Sequence, residues 1–210
     1  MRVISCLIEE GQLLAKQRQF DSAKTILHEC LTLAQQLHGE EHEEVALVLS
    51  ALAQVCKADG DYYHAKNVHE KALSMRIKLY GDNHPLVALS LSDIGELMQA
   101  MGKYSDGIAT HIQALHMRIG AYGGDRHRDV ALSYLSLGAI YKEEENWTEA
   151  KISLEKAVAI FQKLSGAELD PKHAQALHLL APVLILASPT GELDPAIPVF
   201  ENALDIRIKK

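Results

Sequence analysis

The chain has 210 residues, with 21 Lys plus Arg against 28 Asp plus Glu and a formal charge of −7. It therefore lacks the clustered positive face that a general nucleic-acid binder needs. No apolar run is long enough to cross a bilayer, and the opening MRVISCLIEEG reaches Glu9 and Glu10 too early for a secretory signal.

The first predicted helix spans about 3–17, with Val3, Ile4, Leu7, Ile8, Leu14 and Ala15 on one stripe and Gly11 in its middle. Glycine inside a helix costs about 1 kcal/mol against alanine, so close packing must compensate. The stripe then recurs. VALVLSALAQVCKADGDY opens at Val45, VALSLSDIGELMQAMGKY at Val87 and VALSYLSLGAIYKEEENW at Val130, separations of 42 and 43 residues. A period of this size marks stacked helical repeats. In the register of Gly11 stand Ala53, Gly95, Gly138 and finally Pro182.

A second helix follows each first one. Gly60 and Gly102 lie where first helices end, and glycine closes a helix in the left-handed conformation at little steric cost. One bulky residue then opens each second helix: Phe20, Tyr62, Tyr104, Trp147 and Leu193. Small residues come three positions later at Ala23, Ala65, Gly107, Ala150 and Ala196, and again at Cys30, Ala72, Ala114, Ala157 and Ala203. A wedge followed by small residues describes a helical hairpin. Gly39, Gly81, Gly123 and Gly166 end four of the second helices.

The expected architecture is all-α: ten helices in five pairs, forming a right-handed α-solenoid over residues 1–210. The helices are 3–17 with 20–38, 43–58 with 61–80, 85–101 with 104–122, 128–144 with 147–165, and 173–187 with 194–209. The repeats run approximately 3–42, 45–84, 85–126, 128–171 and 173–210. In the fifth, Pro182 should distort its helix, while Asp194 and Pro195 should start the last one. Neither end carries a dedicated polar capping helix, which suggests a piece of a longer protein or an end that stacks on a second copy.

The small residue in the first helix, the aromatic opening the second and the two recurring small positions match the tetratricopeptide pattern. The period of 42 and the stretch HEKALSMRIKLYGDNHPLVALSLSDIGELM, His69 to Met98, resemble the longer repeats of kinesin light chains. That resemblance implies a non-enzymatic adaptor or scaffold. Relatives often carry paired asparagines where Ser92 and Asp93 stand here, which changes the way a peptide backbone could be held. A chaperone-type carboxylate clamp would need Lys and Asn where Ile8 and Gln12 stand.

Of eleven histidines, none shows HExxH or paired-cysteine spacing. His38 and His42 are four apart, but Gly39 breaks the helix between them and should spoil a shared face. His64 with His69, and His111 with His116, are five apart and do not share one. No nucleophile elbow, phosphate loop or dinucleotide fingerprint appears, so no catalytic residue, metal or cofactor is expected. Cys6, Cys30 and Cys56 lack CxxC spacing and are expected to be packed free thiols of a reducing, cytoplasmic compartment. Arg76, Arg118 and Arg207 recur near the ends of second helices, where a cation complements the helix dipole.

A protein or peptide partner is expected instead, gripped by the concave face that first helices line. Projecting from the buried stripe, that face should present Gln12 and Lys16; Ser50, Gln54 and Lys57; Ser92, Asp93, Glu96 and Gln99; and Ser136, Ala139 and Lys142. The alternatives are self-association into a homodimer through terminal repeats, or a regulatory subunit that senses a small molecule.

Overall fold

A computed structural model describes residues 2–164, 170–187, 196–199 and 201. Among them are nine α-helices and no strand: α1 (Arg2–Lys16), α2 (Phe20–His38), α3 (Glu43–Asp59), α4 (Tyr62–Tyr80), α5 (Pro85–Ala100), α6 (Tyr104–Tyr122), α7 (Arg128–Glu143), α8 (Trp147–Leu164) and α9 (Pro171–Leu186). Each expected helix up to α9 is present within two residues of its expected ends. The expected partner of α9, with Leu193, Ala203, Leu204 and Arg207, lies mostly outside the described residues, as does Gly166. Within it, Ala196 is buried and residues 197–199 are helical.

The chain divides into two compact units, Met1–Lys103 and Tyr104–Lys210. In the first, α1 packs on α2, α3 on α4, and each second helix on the following first helix. The first helix α3 also meets its neighbours α1 and α5 directly. In the second, α6, α7, α8 and α9 pack in sequence, with α7 also against α9. Each unit has its own core: Leu27, Val48, Leu52 and Leu97 in the first, Leu137, Leu154, Phe161 and Leu177 in the second. Ile140 is also fully buried, in the second unit.

The small residues of the first helices are there for backbone approach. A Cβ built on Gly11 would lie 2.8 Å from Leu27 Cγ, and one on Gly138 would lie 2.5 Å from Leu154 Cγ. These distances leave no room for a methyl group. α9 runs on through Pro182, in the register of those glycines.

The short turns inside the hairpins share a conformation without sharing a residue. Gly60 and Gly102 have φ of +89° and +73°, while Arg18 and Glu145 hold the same left-handed region at +62° and +61°. Position, not residue type, fixes this turn. Cys30 and Cys56 are buried, as expected, but Cys6 is exposed because it lies on the side of α1 away from α2 and α3.

The turns between pairs use histidine. His42, His84 and His127 are the N-caps of α3, α5 and α7, and their Nδ1 atoms accept from the N–H of Glu44, Leu86 and Asp129 at 3.1, 3.2 and 3.1 Å. Asp170 does the same for α9 through Oδ1, from Lys172 N–H at 2.9 Å. Each bond satisfies one of the open donors at a helix start.

Candidate functional site

Within the first unit, one face is built from α1, α3 and α5. Along α3 it carries Leu47, Ser50, Gln54 and Lys57, and along α5 Leu89, Ser92, Glu96 and Gln99, the spacing of a single helical stripe. Gln12 and Lys16 are exposed on α1, and with Gln54, Ala15 and Val55 they line a cleft of about 250 Å³. Lys57 Nζ donates to Glu96 Oε2 at 2.8 Å and so links α3 to α5. The structure thereby brings together Gln12, Lys16, Gln54, Lys57 and Glu96; Gln99 is half-buried on the same face of α5.

Three other expected residues lie deeper. Ser50 and Ser92 are buried, and Ser92 Oγ donates to Ala88 O at 3.1 Å, back onto its own helix. Asp93 is only 7 % exposed. Burial, reinforced by the nearby Glu96 charge, pushes its carboxyl up to about 6, against the opposing pull of Arg76, Lys57 and a side-chain hydrogen bond from Gln54. The fully buried His69 on α4 is held down at about 4 by burial and by the positive charges of Lys57 and Arg76, with the Glu96 charge pulling the other way. Neither of its ring nitrogens has a hydrogen-bond partner. Ser136, Ala139 and Lys142 lie on α7 in the second unit, each half-buried.

Sequence reading missed the apolar part of this face. Leu47 is 41 % exposed and Leu89 37 %, on the same stripe as the polar residues. The signal was the repeat itself: a leucine three positions before each of Ser50 and Ser92, and Leu132 in the same register on α7. Exposed leucines between hydrogen-bonding side chains can seat the alternate apolar residues of a bound chain. A larger cleft, about 750 Å³, lies elsewhere in the first unit, on the side of the second helices. Leu31, Val45, Leu49 and Met75 are among its apolar lining residues, with Asn67 and Lys71 among the polar ones.

Arg76 and Arg118 are not solvent-facing dipole partners, and Arg207 lies outside the described residues. Arg76 is 0 % exposed; its Nε and Nη2 donate to Glu43 Oε1 at 3.1 and 3.0 Å, and Nη1 donates to Ser90 Oγ at 2.8 Å. One guanidinium thus ties α4 to both α3 and α5. Arg118 Nη1 likewise donates to Ser133 Oγ on α7. These two arginines are joints, not ligand-reaching groups.

The fold is similar to that of BtubC (BKLC) from P. vanneervenii, with 24 % identity and a TM-score of 0.77 over 98 % of this chain and 82 % of that one. It is also similar to nearly identical TPR-like repeats, described as kinesin light chain, from Podosopora anserina: 20 % identity, TM-score 0.71, 98 % and 95 % covered. A third similar structure is a Rap protein complexed with competence and sporulation factor, at 18 % identity and TM-score 0.74, where 95 % of this chain matches 52 % of that one. No curated protein matches the chain in sequence. The tetratricopeptide repeat profile matches residues 4–78, 57–119 and 95–163, together most of the chain. With helical pairs, close glycine approaches and repeated caps in place, the chain belongs to the tetratricopeptide repeat family.

Proposed function

We propose that this chain is a non-enzymatic protein-interaction module, an adaptor or scaffold, that binds an extended peptide segment of a partner along the face made by α1, α3 and α5. The observation that carries the reading is the alternation on that face: exposed Leu47 and Leu89 stand beside Gln12, Lys16, Gln54 and the Lys57–Glu96 pair. Leucines supply apolar seats, and the amide and charged groups supply donors and acceptors for a peptide backbone. The Rap protein of similar fold was solved with competence and sporulation factor bound, which supports a ligand-holding use of such a framework. Residues 1–210 are read as one array of five repeats, because the period runs unbroken across Lys103 and Tyr104. In the second unit, Ser136 and Lys142 on α7 stand at the register positions of Asp93 and Gln99.

The partner is a protein, not nucleic acid, in keeping with the charge of −7. No described helix is long and apolar enough to cross a membrane, and the three free thiols fit a reducing cytoplasm. Peptide selection on the full chain tests the reading. A selected peptide should lose affinity in Gln54→Ala, Lys57→Ala and Glu96→Ala, and unchanged binding in all three would put the site elsewhere.

Self-association is favoured by a different observation. Val3 and Leu13 are 61 % and 55 % exposed on α1, which gives a second copy an apolar strip to cover. Light scattering across a dilution series decides it, since a constant monomer mass removes this reading.

A further inference from the structure

Three turns join a second helix to the next first helix by one device. The last aromatic of the second helix stacks on the histidine cap: His38 on His42 and Tyr80 on His84 with ring centroids 4.4 Å apart, and Tyr122 on His127 at 3.5 Å. In the α6–α7 turn, Tyr122 Oη donates to Asp129 Oδ2 at 2.6 Å, so a proton joins aromatic and carboxylate. The corresponding carboxylate in the α2–α3 turn is Glu44, and its Oε2 lies 2.7 Å from His38 Nε2. Only this turn replaces the phenol by an imidazole. Gly39 does end α2, as expected, yet the turn folds back and brings both rings together.

That exchange changes the chemistry. A phenol is a weak metal ligand near neutral pH, whereas a neutral imidazole carries one lone pair; on His42 that lone pair accepts the Glu44 N–H, so a metal would have to take it over from the cap. One donor atom from each of His38, His42 and Glu44 lies within 4.8 Å of the others. Glu44 Oε2 is also buried without a hydrogen bond of proper geometry, despite its closeness to His38. Its positive partner is His38 only while that imidazole is protonated; beside a neutral imidazole the carboxylate oxygen is open to a cation.

We propose that His38, His42 and Glu44 form a site for one divalent transition-metal ion of the zinc class. Two imidazole nitrogens and one carboxylate oxygen are a donor set that zinc accepts with a fourth, open position. Zinc holds such donors at about 2.0–2.2 Å and in the plane of each ring, so the two imidazoles must rotate out of their stack to meet one ion. The side chains of His38 and Glu44 are 28 % and 16 % exposed, which leaves an approach for the ion and a water. The partial positive charge at the start of α3 opposes a cation, but Glu43 and Glu44 in its first turn offset it, with Glu40 and Glu41 close by in the chain. Of these, Glu43 is held by Arg76 and Glu41 by Lys78, and Glu44 is the one whose carboxylate lies with the two imidazoles.

Calorimetric titration of Zn²⁺ into the full chain, free of any affinity tag, tests this. His38→Tyr is the informative variant, because Tyr80 and Tyr122 occupy the same place in their own turns and keep the stack. The wild type should bind one Zn²⁺ per chain, and Co²⁺ should give the absorption of a tetrahedral site. His38→Tyr and Glu44→Gln should each weaken binding at least about tenfold while circular dichroism shows intact helices. A wild type that binds no zinc at one-to-one stoichiometry, or a folded His38→Tyr that binds it unchanged, would overturn the proposal.

Discussion

The joint between α4 and α5 and the joint between α6 and α7 occupy the same register but are built differently. At the first, buried Arg76 meets a carboxylate, Glu43, as well as Ser90; at the second, Arg118 meets Ser133 and the Asp129 carbonyl. The residues in these places change together through the chain: Ala34 with Val48, Arg76 with Ser90, Arg118 with Ser133, Phe161 with Ala176. All eight are buried. The lesson is that a repeat joint can be apolar or ionic, provided both sides change at once, because a buried charge must never be left alone.

The largest way to break the comparison is Arg76→Ala. It strands Glu43 and Ser90 and should cost about 3–5 kcal/mol of unfolding free energy by chemical denaturation. Arg118→Ala, which frees the neutral acceptors Ser133 Oγ and Asp129 O, should cost less, about 1.5–3 kcal/mol. Equal losses would mean that Glu43 adds nothing to the first joint.

Next come the two close approaches. Gly138→Ala drives a methyl into Leu154 Cγ more deeply than Gly11→Ala does into Leu27, so the first should be destabilising by about 1–3 kcal/mol and the second by less. Thermal melts of the two variants order them directly.

The buried carboxyl sharpens the contrast further, since the place of Asp93 is taken by Ser136 in the second unit. Its folded value near 6 lies above the ordinary 3.8, so the folded state holds a proton more tightly than the unfolded chain does. Stability therefore falls as pH rises from about 4 through about 6, and the full penalty is present at pH 7. Asp93→Asn should be more stable than wild type at pH 7 by on the order of 2 kcal/mol, with the gap closing below pH 4. His69, held down at about 4, acts in the opposite sense: its neutral buried form gives stability that is lost as pH falls from the ordinary 6.5 toward 4. It is present in both proteins, so the difference between their pH profiles isolates Asp93.

The caps give the smallest effect. His84→Ala should cost about 1 kcal/mol, and His84→Asp should restore most of it, because Asp170 already caps α9 in the second unit. A His84→Asp as weak as His84→Ala would show that stacking on Tyr80, not the Nδ1 bond, holds the turn.

Much of this architecture is written in the repeat. Spacing of small and bulky residues placed nine helices, because close approach and wedging leave few residue types at each position. The caps were not legible, since histidine is an unusual N-cap and its role depends on the ring stacked above it. Gly60 and Gly102 marked two turns, but Arg18 and Glu145 hide the same backbone conformation behind ordinary residues. On the candidate face, periodicity could not separate Leu47 and Leu89 from the core, because an apolar residue beside an apolar stripe reads as part of it. Nor could it show that Ser50, Ser92 and Asp93 sink beneath the surface, where direct contact between neighbouring first helices covers them.

The proposed peptide face of α1, α3 and α5 competes with the larger cleft on the side of α2 and α4. Fluorescence anisotropy of one selected peptide, measured against Leu47→Ala with Leu89→Ala and against Asn67→Ala with Lys71→Ala, compares the two clefts in one experiment. The leucine pair should cost about 1 kcal/mol of binding or more while the second pair leaves affinity unchanged. Loss confined to Asn67 and Lys71 would contradict it, and would move the site to the side of α2 and α4.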